Sequence, residues 1–187
     1  MTAATENQDV VDILTTDHHE VLDLIGEATK TTDATERRDI ADTVIAEIMR
    51  HSVAEEMFVY PAMTTHLPDG EVTVAHDKQE HQELEEAMKQ LEGLDGGSAE
   101  FETALGRVQE LLRHHANDEE TGQFPQLRAK IPHEELVEIG RKVELAKKAA
   151  PTRPHPGAPH SELFHKAVGP GVGMIDKLRD KLTNRST

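Results

Sequence analysis

The sequence predicts an all-α protein: an antiparallel up-down-up-down four-helix bundle, an additional C-terminal helix and a Pro-rich tail. Three observations carry this. Four long stretches place apolar residues at three- and four-residue steps. Short polar breaks with capping residues separate them, and no stretch alternates apolar and polar residues as a half-buried strand does. Finally, one motif occurs twice, as HSVAEEMFVYP from His51 to Pro61 and HHANDEETGQFP from His114 to Pro125. Long helices joined by short loops lie antiparallel to their neighbours.

The first helix is expected from about Asn7 to Thr29, with Val11, Leu14, Val21, Leu22 and Ile25 on one stripe and His18 among them. Asp33 and Glu36 then form an N-cap with its capping-box partner. The second helix runs from about Thr35 to Met63 along Ala41, Val44, Ile48, His51, Glu55, Phe58 and Ala62. Pro61 lacks a backbone donor and should kink or end it. The third, from about Glu71 to Leu91, carries Val74, Asp77, His81, Leu84, Met88 and Leu91 on its stripe. Ser98 caps the fourth, which spans about Ala99 to Arg128 along Phe101, Leu105, Val108, Leu112, His115 and Glu119. A fifth helix starts with Pro132 at its first position and runs to about Lys148. From Pro151 to His160 the chain is a proline-rich linker of extended character. A segment SELFHKAV, a Gly-Pro-Gly break and a short amphipathic helix from about Met174 to Leu182 follow. Residues 1–149 thus read as the bundle with its extra helix, and 150–187 as a tail.

Composition narrows the function. The chain has 187 residues, 36% of them hydrophobic, enough for a bundle in which each helix buries one stripe. Its 20 basic and 36 acidic residues give a net charge of −16, which repels phosphate backbones and anionic membranes alike. Cysteine is absent, which excludes disulfides, thiolate zinc sites, cysteine nucleophiles and cysteine-bound iron–sulfur clusters. Any metal must be held by nitrogen and oxygen, and there are 12 histidines. No stretch approaches the ~18 apolar residues of a membrane span, and the first residues lack a leader pattern. The expectation is a soluble, cytoplasmic protein.

The doubled motif is the chemical signal. Aligned, both copies read His-x3-Glu-Glu-x3-Tyr/Phe-Pro, which matches His51 to His115, Glu55 to Glu119 and Tyr60 to Phe124. Residues four apart share a helix face, so each copy aims an imidazole and a carboxylate at one point. His18 and His81 sit near the middle of the other two helices. In an antiparallel bundle all four histidines share one level. Burying these groups without partners would cost roughly 1–3 kcal/mol each, and a bound cation removes the problem. Six ligands with two carboxylates suit two metals, and mixed imidazole and carboxylate ligation fits iron, manganese or zinc.

The pattern resembles a hemerythrin-like, or HHE cation-binding, domain of bacterial type. Asp17-His18, His51-x3-Glu55-Glu56-x3-Tyr60-Pro61, Glu80-His81 and His115-x3-Glu119-Glu120-x3-Phe124-Pro125 carry the resemblance, over about residues 8 to 130. It implies two iron ions in an oxo- or hydroxo-bridged di-iron centre. His18 and His51 would ligate one iron, His81 and His115 the other, and Glu55 and Glu119 would bridge. Hemerythrin oxygen carriers have a second histidine four residues before the position of His81. Here that residue is Asp77, a candidate seventh ligand, and its presence weakens reversible oxygen carriage. His76 is a poorer substitute, since it points about 140° away.

Neighbouring residues have plainer readings. Glu56 and Glu120 flank the ligand face and are expected to be solvated or to stand behind the ligands. His19 and His114 project about 100° from the face and belong on the surface, with His114 also a candidate for a place just behind the ligands. Tyr60, the only tyrosine, is expected to pack as Phe124 does, or to place its phenol beside the metal. His155, His160 and His165 read as linker residues. Glu162 and His165 form the only Glu-x-x-His, outside the bundle, which argues against a ferritin-like centre.

The expected activity is reaction with a small oxidant: hydrogen peroxide in a catalase- or peroxidase-like cycle, or nitric oxide, with an external electron donor where one is needed. The alternative is an oxygen carrier or an oxygen or iron sensor. A metal-free assembly module is the third reading, opposed by the buried carboxylates. No catalytic side chain beyond the ligands is expected, and the chain should be a monomer or weak homodimer.

Overall fold

The computed structural model describes residues 8–150 and 152–153. The proline-rich linker, the helix expected at Met174–Leu182 and His155, His160 and His165 lie outside the described residues. Within them the protein is all-helical. Its elements are α1 (Val10–Lys30), α2 (Ala34–Ala54), α3 (Tyr60–His66), α4 (Gly70–Leu91), α5 (Ala99–Asp118), α6 (Phe124–Lys130) and α7 (His133–Ala149). Two five-residue π-helical turns, Glu55–Val59 and Glu119–Gln123, join α2 to α3 and α5 to α6.

The helix starts follow local chemistry. The Asp9 carboxylate accepts the Asp12 N–H at 3.0 Å, Asp33 accepts that of Glu36 at 2.9 Å, and the Ser98 hydroxyl accepts that of Phe101 at 3.1 Å. Each satisfies a donor that the first helical turn leaves unpaired. Pro132 stands one place outside α7, as its cap, instead of at the first helical position.

Regular α-helix ends ahead of Pro61 and Pro125, at Ala54 and Asp118, and resumes at Tyr60 and Phe124 after a π-helical turn. A proline inside a helix leaves the carbonyl four residues back without a donor and presses on it. Here the ladder lengthens just before each proline: the Tyr60 N–H reaches the Glu55 carbonyl and the Phe124 N–H that of Glu119. The extra residue turns everything beyond it by about 100°. The stripe expected at Phe58 and Ala62 therefore moves one place on, to the buried Val59 and Met63.

The core has two apolar clusters. One gathers Val10, Val11 and Leu14 of α1 with Val59, Tyr60, Met63, Phe124, Leu127 and the inner face of α7. The other gathers Val21 and Ile25 with Val44, Ile45, Ile48, Leu84, Met88, Phe101, Leu105 and Val108. The breaks between them fall at His18, at His51 and Glu55, at Asp77 and His81, and at His115 and Glu119, so a polar layer lies within the core. The α7 helix packs along α1 and α2 and covers that side of the molecule. The α4 helix begins tightly against α3, where a Cβ on Gly70 would stand 2.2 Å from the Met63 carbonyl oxygen.

Candidate metal centre

The polar layer contains four imidazoles and two carboxylates, all buried. The Nε2 atoms point inward in pairs: His18 to His51 at 3.1 Å and His81 to His115 at 3.3 Å. Glu55 Oε2 stands between the pairs, 3.2 Å from His51 Nε2 and 3.3 Å from His81 Nε2. Glu119 Oε2 lies 3.4 Å from His18 Nε2 and 3.6 Å from His115 Nε2. One atom each from His18, His51, Glu55, His115 and Glu119 lies within 4.8 Å of all the others.

This arrangement fits a cation. Both carboxylates are fully buried, and among the described residues none of their four oxygens has a well-aligned hydrogen-bond partner; isolated buried carboxylates are costly. The donors are imidazole nitrogen and carboxylate oxygen, the set expected for iron, manganese or zinc. Without a metal, protons take the cation's place. Burial pulls the His51 imidazole down, but the Glu55 charge and the bond to Asp17 outweigh it and lift it to about 10. His81 and His115 also rise against burial, held by Glu55 with Glu56 and by Glu119 with Glu55. Burial raises Glu55, but the His51 charge and the surrounding imidazoles hold it well below the usual carboxylate range.

A second ring of carboxylates surrounds the first. His18 Nδ1 meets Glu120 at 2.9 Å, His51 Nδ1 meets Asp17 at 3.2 Å, His81 Nδ1 meets Glu56 at 3.2 Å and His115 Nδ1 meets Glu80 at 3.0 Å. An ionised carboxylate can only accept, so each Nδ1 carries the proton and donates it. When a metal replaces the inner proton, the Nε2 lone pair of a neutral ring would face it, which is how histidine is oriented toward a metal. Each acid adjoins a stripe residue in sequence: Asp17 precedes His18, Glu80 precedes His81, Glu56 follows Glu55 and Glu120 follows Glu119. One residue along a helix is about 100° around, which puts each acid on the flank facing a neighbouring helix. Spacing alone leaves Glu56 and Glu120 either solvated or behind the ligands, and names Asp17 and Glu80 only as neighbours of His18 and His81 in the family pattern. The adjacency was the available signal.

Tyr60 is buried, with its hydroxyl 3.1 Å from His81 Nε2. Phe124, its counterpart, lies parallel to the His18 ring at 6.1 Å between centroids. Asp77 is fully buried and accepts the Gln123 amide at 2.8 Å. Burial raises its carboxyl to about 6, against the pull of that bond. His114 is 64% exposed and reaches the layer only through Glu80, at 3.0 Å. His19 is on the surface, 3.8 Å from Glu120.

The family model for the hemerythrin HHE cation-binding domain matches residues 9–127. A hemerythrin-like protein of Schizosaccharomyces pombe is 34% identical over 137 residues, 73% of this chain and 68% of that one. A DNA nickase of Nostoc is 21% identical over 149 residues, 79% of this chain but only 42% of its own length. No solved structure matches the chain significantly. With the family match spanning the polar layer and most of the helices that build it, the chain belongs to the hemerythrin family of HHE cation-binding domains, metal-binding helical proteins.

Proposed function

We propose that this is a non-haem di-iron protein that reacts with a small oxidant, either hydrogen peroxide in a catalase- or peroxidase-like cycle or nitric oxide. His18 and His51 would hold one iron, His81 and His115 the other, with Glu55 and Glu119 shared between them. When bound, the irons supply a Lewis-acidic, one-electron redox site for the small ligand. Asp17, Glu56, Glu80 and Glu120 fix the imidazoles through Nδ1. The apolar clusters on both sides exclude bulk water and large substrates. The bundle is taken as wound up-down-up-down, supported by the grouping of the start of α1 with α3 and of its end with the start of α2.

The observation that carries the choice of reaction is Asp77. Where an oxygen carrier of this family has a further histidine, this chain has a carboxyl group tied to Gln123. With a carboxyl group in that place, one ion would have fewer imidazoles and could accept an incoming ligand. The nicking activity named for the Nostoc relative is not extended to this chain, whose net charge of −16 opposes a phosphate backbone.

Iron analysis should give about two irons per chain, and His115→Ala should lose iron. Peroxide added to the iron protein should release oxygen at a rate that falls with iron content. A stable, reversible oxygen adduct of the reduced protein with no peroxide turnover would replace this reading with oxygen carriage.

A further inference from the structure

We propose that His76, Glu80, His114 and Asp118 form a second, outer cation site, one that takes a single divalent ion of the zinc class. The four residues are two His-x3-acid pairs on facing flanks of α4 and α5, His76 with Glu80 and His114 with Asp118. Glu80 Oε1 lies 3.0 Å from His114 Nδ1 and 3.6 Å from His76 Nε2. Asp118 Oδ2 lies 3.7 Å from His114 Nδ1 and 3.9 Å from His76 Nε2. Tetrahedral ligands about 2.0–2.1 Å from zinc stand roughly 3.3 Å from one another. One ligand atom each from His76, Glu80 and Asp118 already lies within 4.8 Å of the other two, and His114 stands beside both carboxylates as the fourth ligand. Two imidazoles and two carboxylates are a donor set that zinc-class ions accept. His76, Glu80 and His114 line a surface pocket of about 270 Å³, which gives an ion access from solvent.

Exposed pairs four apart on a helix are common without any metal. The internal repeat supplies the independent argument. Counting from the matched histidines, Glu80 corresponds to Asp17, His76 to Ile13, His114 to Arg50 and Asp118 to Ala54. Asp17 uses Oδ2 for His51 and gives Oδ1 to the Lys147 ammonium of α7, at 2.6 Å. Glu80 likewise uses Oε2 for His115. Among the described residues no lysine reaches its other oxygen, since α7 lies along α1 and α2; it faces two imidazoles instead. One half of the molecule thus fills this position with a built-in cation. The other half offers ligands for a cation from solution.

The two sites share Glu80. An ion drawing on Oε1 weakens what Oε2 gives to His115 Nδ1, so occupancy outside changes the basicity of a histidine in the inner centre. This coupling rests on the di-iron reading, whereas the outer site itself does not.

The test uses the full chain, iron-loaded, dialysed against micromolar zinc, with metals counted and the iron absorption recorded before and after. The comparison is the His76→Ala, His114→Ala double variant; both side chains are more than half exposed, so the fold should survive, and circular dichroism checks this. Wild type should hold about one zinc per chain more than the double variant, and zinc should move the iron spectrum of wild type only. Equal zinc in the two proteins overturns the site. A one-zinc difference with an unmoved iron spectrum overturns the coupling and leaves the site. The zinc difference is read with or without iron in the inner centre, so failure of the di-iron reading stays distinguishable.

Discussion

The Asp77–Gln123 pair allows a quantitative test, because the repeat shows what the same positions look like without it. Counting from the matched ligands, Asp77 corresponds to Leu14 and Gln123 to Val59, both fully buried and apolar. The perturbation is Asp77→Leu with Gln123→Met, which keeps branching and length while removing both polar ends. Gln123→Met alone leaves the buried carboxyl without its one donor and should cost about 2 kcal/mol. The double variant should recover that cost and go further. A carboxyl raised from 3.8 to about 6 binds more protons folded than unfolded, so stability falls as pH climbs through that interval. At ~1.4 kcal/mol per pH unit the penalty at pH 7 is roughly 3 kcal/mol. Metal-free double variant should therefore be more stable than metal-free wild type at pH 7 by up to that amount, with the advantage gone near pH 4. Urea unfolding of the four proteins of the cycle measures this. A double variant less stable than Gln123→Met alone would refute the reasoning. So would loss of iron from the double variant, since Asp77 would then be holding a metal.

In metal-free protein, His51 is lifted from 6.5 to about 10. The stability it contributes is complete below pH 6.5 and lost as pH rises toward 10; urea midpoints after chelation should fall steadily from pH 7 to 9.5, and a flat profile would show the ring neutral. Gly70→Ala drives a Cβ into the Met63 carbonyl at 2.2 Å and should cost roughly 2 kcal/mol or more, seen as a lowered Tm; an unchanged Tm would mean α4 can shift. Phe101 is fully buried beneath the Arg37 and Arg38 guanidinium groups at 5.0 and 5.3 Å. Phe101→Ala should destabilise by about 3–5 kcal/mol, far from the centre and without altering its metal content.

What the sequence revealed followed from periodicity. His18, His51, His81 and His115 stood out because each broke an apolar stripe, and Asp33 and Ser98 marked helix starts by their own hydrogen-bonding chemistry. The π turns were hidden because a stripe is drawn at a fixed pitch, and one added residue cannot be seen in a pattern that assumes none. Proline six residues after Glu55 and Glu119 was the trace they left. The outer carboxylates were hidden for another reason. Spacing says which flank of a helix Glu56 or Glu80 occupies, but only tertiary packing says whose imidazole comes to meet it. Spacing puts His76 and His114 off the buried face, as a poorer substitute ligand and as a surface residue or one just behind the ligands, and off that face is where a solvent-loaded ion would be held.

The exchange of acids between the two halves places the partners of the inner histidines at very different distances along the chain. Glu56 reaches forward 25 residues to His81, whereas His18 waits for Glu120, 102 residues later in the chain. At about 5–20 residues per second a ribosome needs roughly 5–20 s to cover that interval. Through that interval a nascent chain displays His18, joined after its first third by His51 and Glu55, before the last part of the layer exists. The compartment closes only when the second π turn arrives, so a cation taken up earlier can still escape.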